Sequence, residues 1–151
     1  MKKLLNIELV PRTAWHSNLR NILDKSVWDT LKREAYKKAG YKCSICGGTG
    51  QRNPVEAHEK WSYDDMNKVQ KLIDIVALCP LCHKVKHIGL AIKKGDGGDA
   101  IKHYCRINNI SIYQALNDIE NEFSIYQRRS EFEWEFDLEV LTQNNITWKG
   151  Y

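Results

Sequence analysis

This sequence predicts an α+β fold in which a small strand–strand–helix unit is stapled by a four-cysteine metal site, and three features predict it. Two Cys-x-x-Cys pairs, Cys43/Cys46 and Cys79/Cys82, are separated by 32 residues, a spacing that suits one tetrahedral zinc ion. Between the pairs, short apolar runs of strand type lead up to Leu78, and a helical stretch follows the second pair. That second pair also runs straight into His83 and His87, so the ten residues from Leu78 to His87 interleave two sets of metal ligands. Four thiolates complete a structural site, and the leftover imidazoles are what a second, reactive ion requires.

Taken in order, residues 4–10 read as a short strand closed by Pro11, and 17–23 as a short helix. Ser26 is placed to cap a helix over 27–39, where Val27, Leu31, Ala35 and Ala39 recur at four-residue steps before Gly40. Its later lysines and arginine suit the negative end of the helix dipole. Cys43 to Gly48 is a metal knuckle, in which glycine lets the backbone turn tightly enough for two sulfurs to face one ion. A strand over 54–61 follows, then a polar loop over 62–72 and a second strand over 73–78. Leu81 to Leu90 reads as a helix ended by the loop Lys93 to Gly98. Asp99 caps a helix over 100–108 and Ser111 another over 112–129. Residues 131–137 alternate strictly, giving a C-terminal strand with an aromatic and an acidic face.

At 151 residues the chain suits a single domain, 1–151. Within it, 1–40 form an N-terminal extension, 41–92 the stapled core, and 99–151 a helical and strand extension. A hydrophobic content of 42% with 28% charged residues is that of an ordinary globular protein. No apolar run approaches the ~20 residues of a membrane span. The first residues lack the features of a secretory signal, so an intracellular, cytoplasmic setting is expected. Five cysteines, four of them in Cys-x-x-Cys spacing, then favour metal over disulfides. Cys105 is expected to be a small buried hydrophobe, and His16 and His103 to serve packing or surface. Charge is uneven: 1–106 carry 20 Lys and Arg against 11 Asp and Glu, whereas 107–151 carry 3 against 8. The basic part suits a polyanion, although Lys-rich helices also serve simply as solvated faces.

A strand bearing His58 against a helix bearing His83 and His87, four apart on one helix face, brings three imidazoles together. The ordered set over 41–90, with Val55-Glu56-Ala57-His58-Glu59-Lys60-Trp61 between the knuckles and Leu78-Cys79-Pro80-Leu81-Cys82-His83 after, resembles the HNH endonucleases, the ββα-metal or His-Me finger nucleases. The resemblance implies a ββα-metal (HNH) core and metal-dependent hydrolysis of phosphodiester bonds in DNA, most naturally double-stranded. It also implies a second divalent ion held by His58, His83 and His87. Three imidazoles suit zinc, nickel or manganese better than magnesium. Small members of that family occur in phages, mobile introns and restriction systems.

The first strand departs from the family pattern. One register makes His58 a metal ligand and puts Glu59 where a general-base histidine normally stands. A shift by one makes His58 the base and leaves Ala57, which binds no metal, at the ligand position. The first register gives a complete metal site and is preferred. The expected catalytic residues are therefore Glu59, His58 and His83. Lys84, Lys86, Lys93 and Lys94 are expected to contact flanking phosphates, and Trp61 to flank a substrate groove while the other tryptophans serve the core. The rival expectation is a catalytically inactive zinc module of the same fold, binding nucleic acid or a protein partner. A thiol–disulfide enzyme is disfavoured, because the βαβ context is missing and zinc-bound thiolates do not exchange freely.

Overall fold

The computed structural model describes residues 2–143. Its centre is an antiparallel hairpin of β1 (Glu56–Asp64) and β2 (Val69–Leu78), to which β3 (Glu135–Asp137) adds in parallel, giving the order β1-β2-β3. β1 is therefore an edge strand. The hairpin is longer than its polar sequence suggests, because most of the loop expected over 62–72 is strand. Packing overrides composition here: Gln70 donates to the Tyr63 hydroxyl at 3.1 Å, and the Tyr63 ring meets Trp134 edge-on. Only residues 65–68 turn, with Asp64 accepting from the Met66 and Asn67 amides and Lys68 at φ +56°.

Register decides which side chains share a face. Ala57 pairs with Ala77, Glu59 with Ile75 and Trp61 with Leu72, and a bulge between Lys60 and Trp61 leaves Ile73 as the extra, exposed residue. That face packs with a core of Leu19, Leu23, Trp28, Leu72, Leu138 and Leu141. The alternate positions, Glu56 and His58, lie opposite Leu78 and Val76 and face the larger core.

Helices α1 (Leu19–Ile22) and α2 (Lys25–Lys38) cover the first face, preceded by a 3₁₀ helix over Arg12–Ser17. α2 is capped by Asp24, whose extended backbone ends the preceding segment, not by Ser26, which lies inside the first turn. The helix expected over 81–90 is two: α3 (Pro80–Lys86) and α4 (Ile88–Lys93), separated at His87, whose φ of −108° and ψ of 50° leave the helical region. α5 (Gly97–Asn108) begins before Asp99, with Asp96 at its cap. Gly97 permits this, since a Cβ there would meet Ile92 Cγ1 at 2.8 Å. Ser111 caps α6 (Ile112–Arg129) as expected, in a full capping box with Gln114. A short helix α7 (Glu139–Gln143) follows β3. Of the aromatic strand expected over 131–137, only 135–137 pair. Trp134 instead donates to the Arg129 carbonyl and is buried.

The segment expected as a strand over 4–10 joins no sheet, and the chain bends at Leu4 and Leu5. Leu5 is fixed by two hydrogen bonds with the Asn108 side chain, and the Glu8 amide donates to the Lys86 carbonyl at 3.1 Å. Leu5 and Ile7 point into the core, and Glu8 turns the other way. No helix among the described residues is long and apolar enough to cross a membrane.

Candidate metal centre

The first knuckle folds because Gly47, at φ +73°, donates back to the Cys43 carbonyl while the Cys43 amide donates to Gly48. The Ser44 amide then reaches the Ala77 carbonyl at the end of β2, placing Cys43 and Cys46 over the second pair. There Cys79 caps α3, its sulfur accepting from the Cys82 amide, with Pro80 in the first helical turn. The four sulfurs lie within 4.8 Å of one another, and Cys43, Cys79 and Cys82 are buried in the main core. This cluster can hold one structural zinc, as the sequence leads one to expect.

Charge makes the same demand. The hydrogen bond shared with Cys43 pushes Cys79 up to about 11, and Cys82 is raised for the same reason, while Cys43 is lowered. Four thiolates this close need a dication to hold them. His103 sits behind the site, its Nε2 at 3.1 Å from the Cys82 sulfur and its Nδ1 at 3.0 Å from the Arg106 guanidinium. A guanidinium only donates, so Nδ1 accepts and Nε2 carries the proton toward sulfur. The sequence-based reading of His103 as a packing or surface residue therefore misses its polar contact with a ligand. Cys105, by contrast, packs half-buried against the core.

The second cluster forms where β1 meets the junction of α3 and α4. One nitrogen from each of His58, His83 and His87 lies within 4.8 Å of the others, and the rings meet edge-on at centroid separations of 5.0–5.5 Å. Two of the three are oriented from behind by carboxylates. Glu8 Oε2 lies 2.7 Å from His58 Nε2, and Glu56 Oε2 lies 2.6 Å from His83 Nδ1. Each carboxylate occupies one ring nitrogen and leaves the other for the centre of the cluster. For His58 the remaining atom, Nδ1, is buried and has no hydrogen-bond partner among the described residues. A carboxylate–imidazole pair with an orphaned inner nitrogen is the arrangement that metal-binding histidines use. Burial, helped by the other two rings, pushes His87 down to about 3, so it stays neutral, the form that ligates.

Glu8 is itself held in place. Burial alone would raise its pKa, but hydrogen bonds from His58 and Lys86 and the Lys86 charge bring it down to about 2. Lys86 therefore departs from the expected phosphate contact: it is 4% exposed and its Nζ lies 2.8 Å from Glu8 Oε1. Lys84 is half-buried beside Asp96, at 3.5 Å, whereas Lys93 and Lys94 are exposed. Nothing in the sequence pairs Glu8 with His58, because the two are 50 residues apart and Glu8 lies outside any regular element.

Glu59 is on the opposite face of β1 from His58. Its oxygens accept from the Leu19 amide at 2.7 Å and from Trp61 Nε1 at 3.2 Å. Burial raises its pKa against these two hydrogen bonds and the charge of Arg20. Because β1 is an edge strand, a groove of about 710 Å³ runs round its open side and is lined by Glu59 and Trp61 as well as by His83 and His87. Trp61 flanks this groove, as its sequence position suggests. Trp148, one of the expected core tryptophans, lies outside the described residues.

Fold and clusters together define an α+β chain with a small three-stranded sheet and a four-cysteine site compatible with zinc. Comparison with known protein families, with curated proteins and with solved structures finds no match.

Proposed function

We propose that the protein is a metal-dependent DNA endonuclease of the HNH type, hydrolysing phosphodiester bonds at the three-histidine cluster. One observation carries the reading: three imidazole nitrogens converge within 4.8 Å beside an open groove, two of them backed by carboxylates. The order knuckle, β1, β2, knuckle, α3 supports it, since this is the arrangement to which the HNH resemblance points. A divalent ion held there supplies Lewis-acid stabilisation of the charge that develops on a phosphodiester. His58 would hold it through Nδ1 and His83 through Nε2, with His87 as the third donor.

The chain's other residues have separable tasks. Glu8 and Glu56 fix the ring planes and tautomers. Glu59 lines the same groove as His83 and His87, from the other face of β1 to His58, and its raised pKa suits the role of general base. Lys93 and Lys94 meet flanking phosphates.

Nicking of supercoiled plasmid DNA with added zinc, manganese, nickel or magnesium tests this reading. His58→Ala, His83→Ala and Glu59→Ala should each lower it by at least about a hundredfold, the usual size of a lost acid–base or metal contribution. Cleavage that survives all three removes the cluster as the active centre. The commitment of Glu59 to Leu19 and Trp61 favours a second reading, an inactive zinc module binding nucleic acid or a protein partner. Metal content separates the two: two ions per chain support the nuclease, and one supports the module.

A further inference from the structure

We propose that the groove beside the histidine cluster receives one unpaired nucleobase, which makes the substrate class DNA with a single-stranded, bulged or extruded nucleotide rather than uninterrupted duplex. The inference rests on the nuclease reading only in placing the scissile phosphate at the histidines.

The groove has the chemistry of a nucleotide. One wall is aromatic: Trp15, from the 3₁₀ helix, is 55% exposed, and its ring stacks on Tyr126 of α6 at 6.3 Å and 25°. Trp15 Nε1 donates to the Val10 carbonyl at 2.8 Å, which fixes the indole plane before anything binds. Phe123 and Leu90 extend this apolar surface toward His87. Arg20 and Lys93, both exposed, supply the positive charge that a strand's phosphates require.

Pairing status decides the occupant. In continuous duplex the base faces are covered by their neighbours, so an aromatic wall finds nothing to stack on. An unpaired base presents a whole face, and stacking on aromatic side chains is how single strands are held without sequence preference. At about 710 Å³ the groove has room for one nucleotide.

The test is fluorescence anisotropy of end-labelled DNA binding to the zinc-loaded full chain without other divalent ions, comparing a duplex carrying one bulged nucleotide with its fully paired counterpart. Wild type should bind the bulged DNA about tenfold more tightly, the scale of one stacked base. Trp15→Ala should bring that ratio close to one, and Trp15→Phe should keep most of it. If Trp15→Ala melts early, Tyr126→Leu replaces it as the variant expected to lose the preference. Equal affinity of the wild type for both DNAs overturns the proposal, as does a preference undiminished in a folded variant. Cleavage of the same two DNAs is measured in parallel with added metal. A binding preference without cleavage leaves the groove standing and sinks the nuclease reading, whereas cleavage without preference sinks the groove alone.

Discussion

The four-cysteine and three-histidine clusters share one stretch of chain, Cys79 to His87, yet their surroundings differ. The sulfurs belong to the main core, and those of Cys43, Cys46 and Cys79 are held by backbone amides within three residues, while that of Cys82 meets His103. The imidazoles stand at a sheet edge, with His83 and His87 half-buried on a groove, and two of them, His83 and His58, are held by carboxylates 27 and 50 residues away. A locally built, enclosed site stabilises the fold. A site assembled from distant elements with one side open can take a substrate. On the proposed reading, the difference separates the two clusters by role although they are contiguous in sequence.

The largest expected effect comes from removing the sulfur-bound ion. A structural zinc contributes about 10–16 kcal/mol in small domains, as much as the whole stability of a chain this size. Stripping zinc with a strong chelator, or Cys79→Ser, should abolish the cooperative thermal transition and the near-ultraviolet circular dichroism. A chain that melts unchanged after chelation would break the contrast at once. Next comes His87→Ala, which on the proposed reading removes the second ion while leaving the first. Elemental analysis should fall from two ions to one per chain, with the melting temperature within a few degrees of wild type, as for a half-buried side chain outside the sulfur cluster. A loss of both ions would mean that the clusters are one structural unit.

How well each site can be read from sequence follows the same division. The cysteine pairs are legible because their spacing alone specifies a knuckle, and Gly47 and Pro80 stand where the turns need them. His83 and His87 are legible from their separation of four, although the break at His87 is not, since nothing in Val85-Lys86-His87-Ile88 marks a helix end. Glu8 and His103 escape notice because each acts on a residue far along the chain. Lys86 looks like a surface cation on a basic helix, and only the placement of Glu8 shows that it is a buried counter-ion. The polar run over 62–72 reads as a loop because the contacts that make it strand, from Trp134 and β3, come from the other end of the molecule.

A smaller effect tests the support behind the histidines. Glu8→Gln keeps a hydrogen-bond acceptor for His58 but removes the negative charge, and changes of this kind usually cost about 10–100-fold in metal affinity. It also leaves Lys86 buried without a counter-ion, which is destabilising by about 3–5 kcal/mol. Combining Glu8→Gln with Lys86→Met removes the stranded charge and should recover much of the stability. The weakened affinity for the second ion should persist, as titration calorimetry with manganese or zinc would show. Affinity restored along with stability would mean that Glu8 serves only to neutralise Lys86.

The smallest effect falls on the sulfur side, where His103 is, among the described residues, the one side chain outside the cysteine cluster that contacts one of its sulfurs through a polar atom. Its proton on Nε2 points at Cys82 because Arg106 holds Nδ1 as an acceptor. A donor shared with a thiolate spreads its charge and fixes the direction of its lone pairs, so losing it should weaken zinc by about tenfold, the lower end for such outer partners. His103→Ala, titrated against a chromophoric zinc chelator, should show that loss. His103→Gln, whose amide can donate to the same sulfur, should recover part of it. Arg106 is exposed and regains water when its acceptor is gone, so the change should come from the sulfur contact and not from a stranded cation. Unaltered zinc affinity in His103→Ala would show that the place of Cys82 on α3 alone orients its sulfur, and would make the sulfur site still more local than the contrast with the histidines requires.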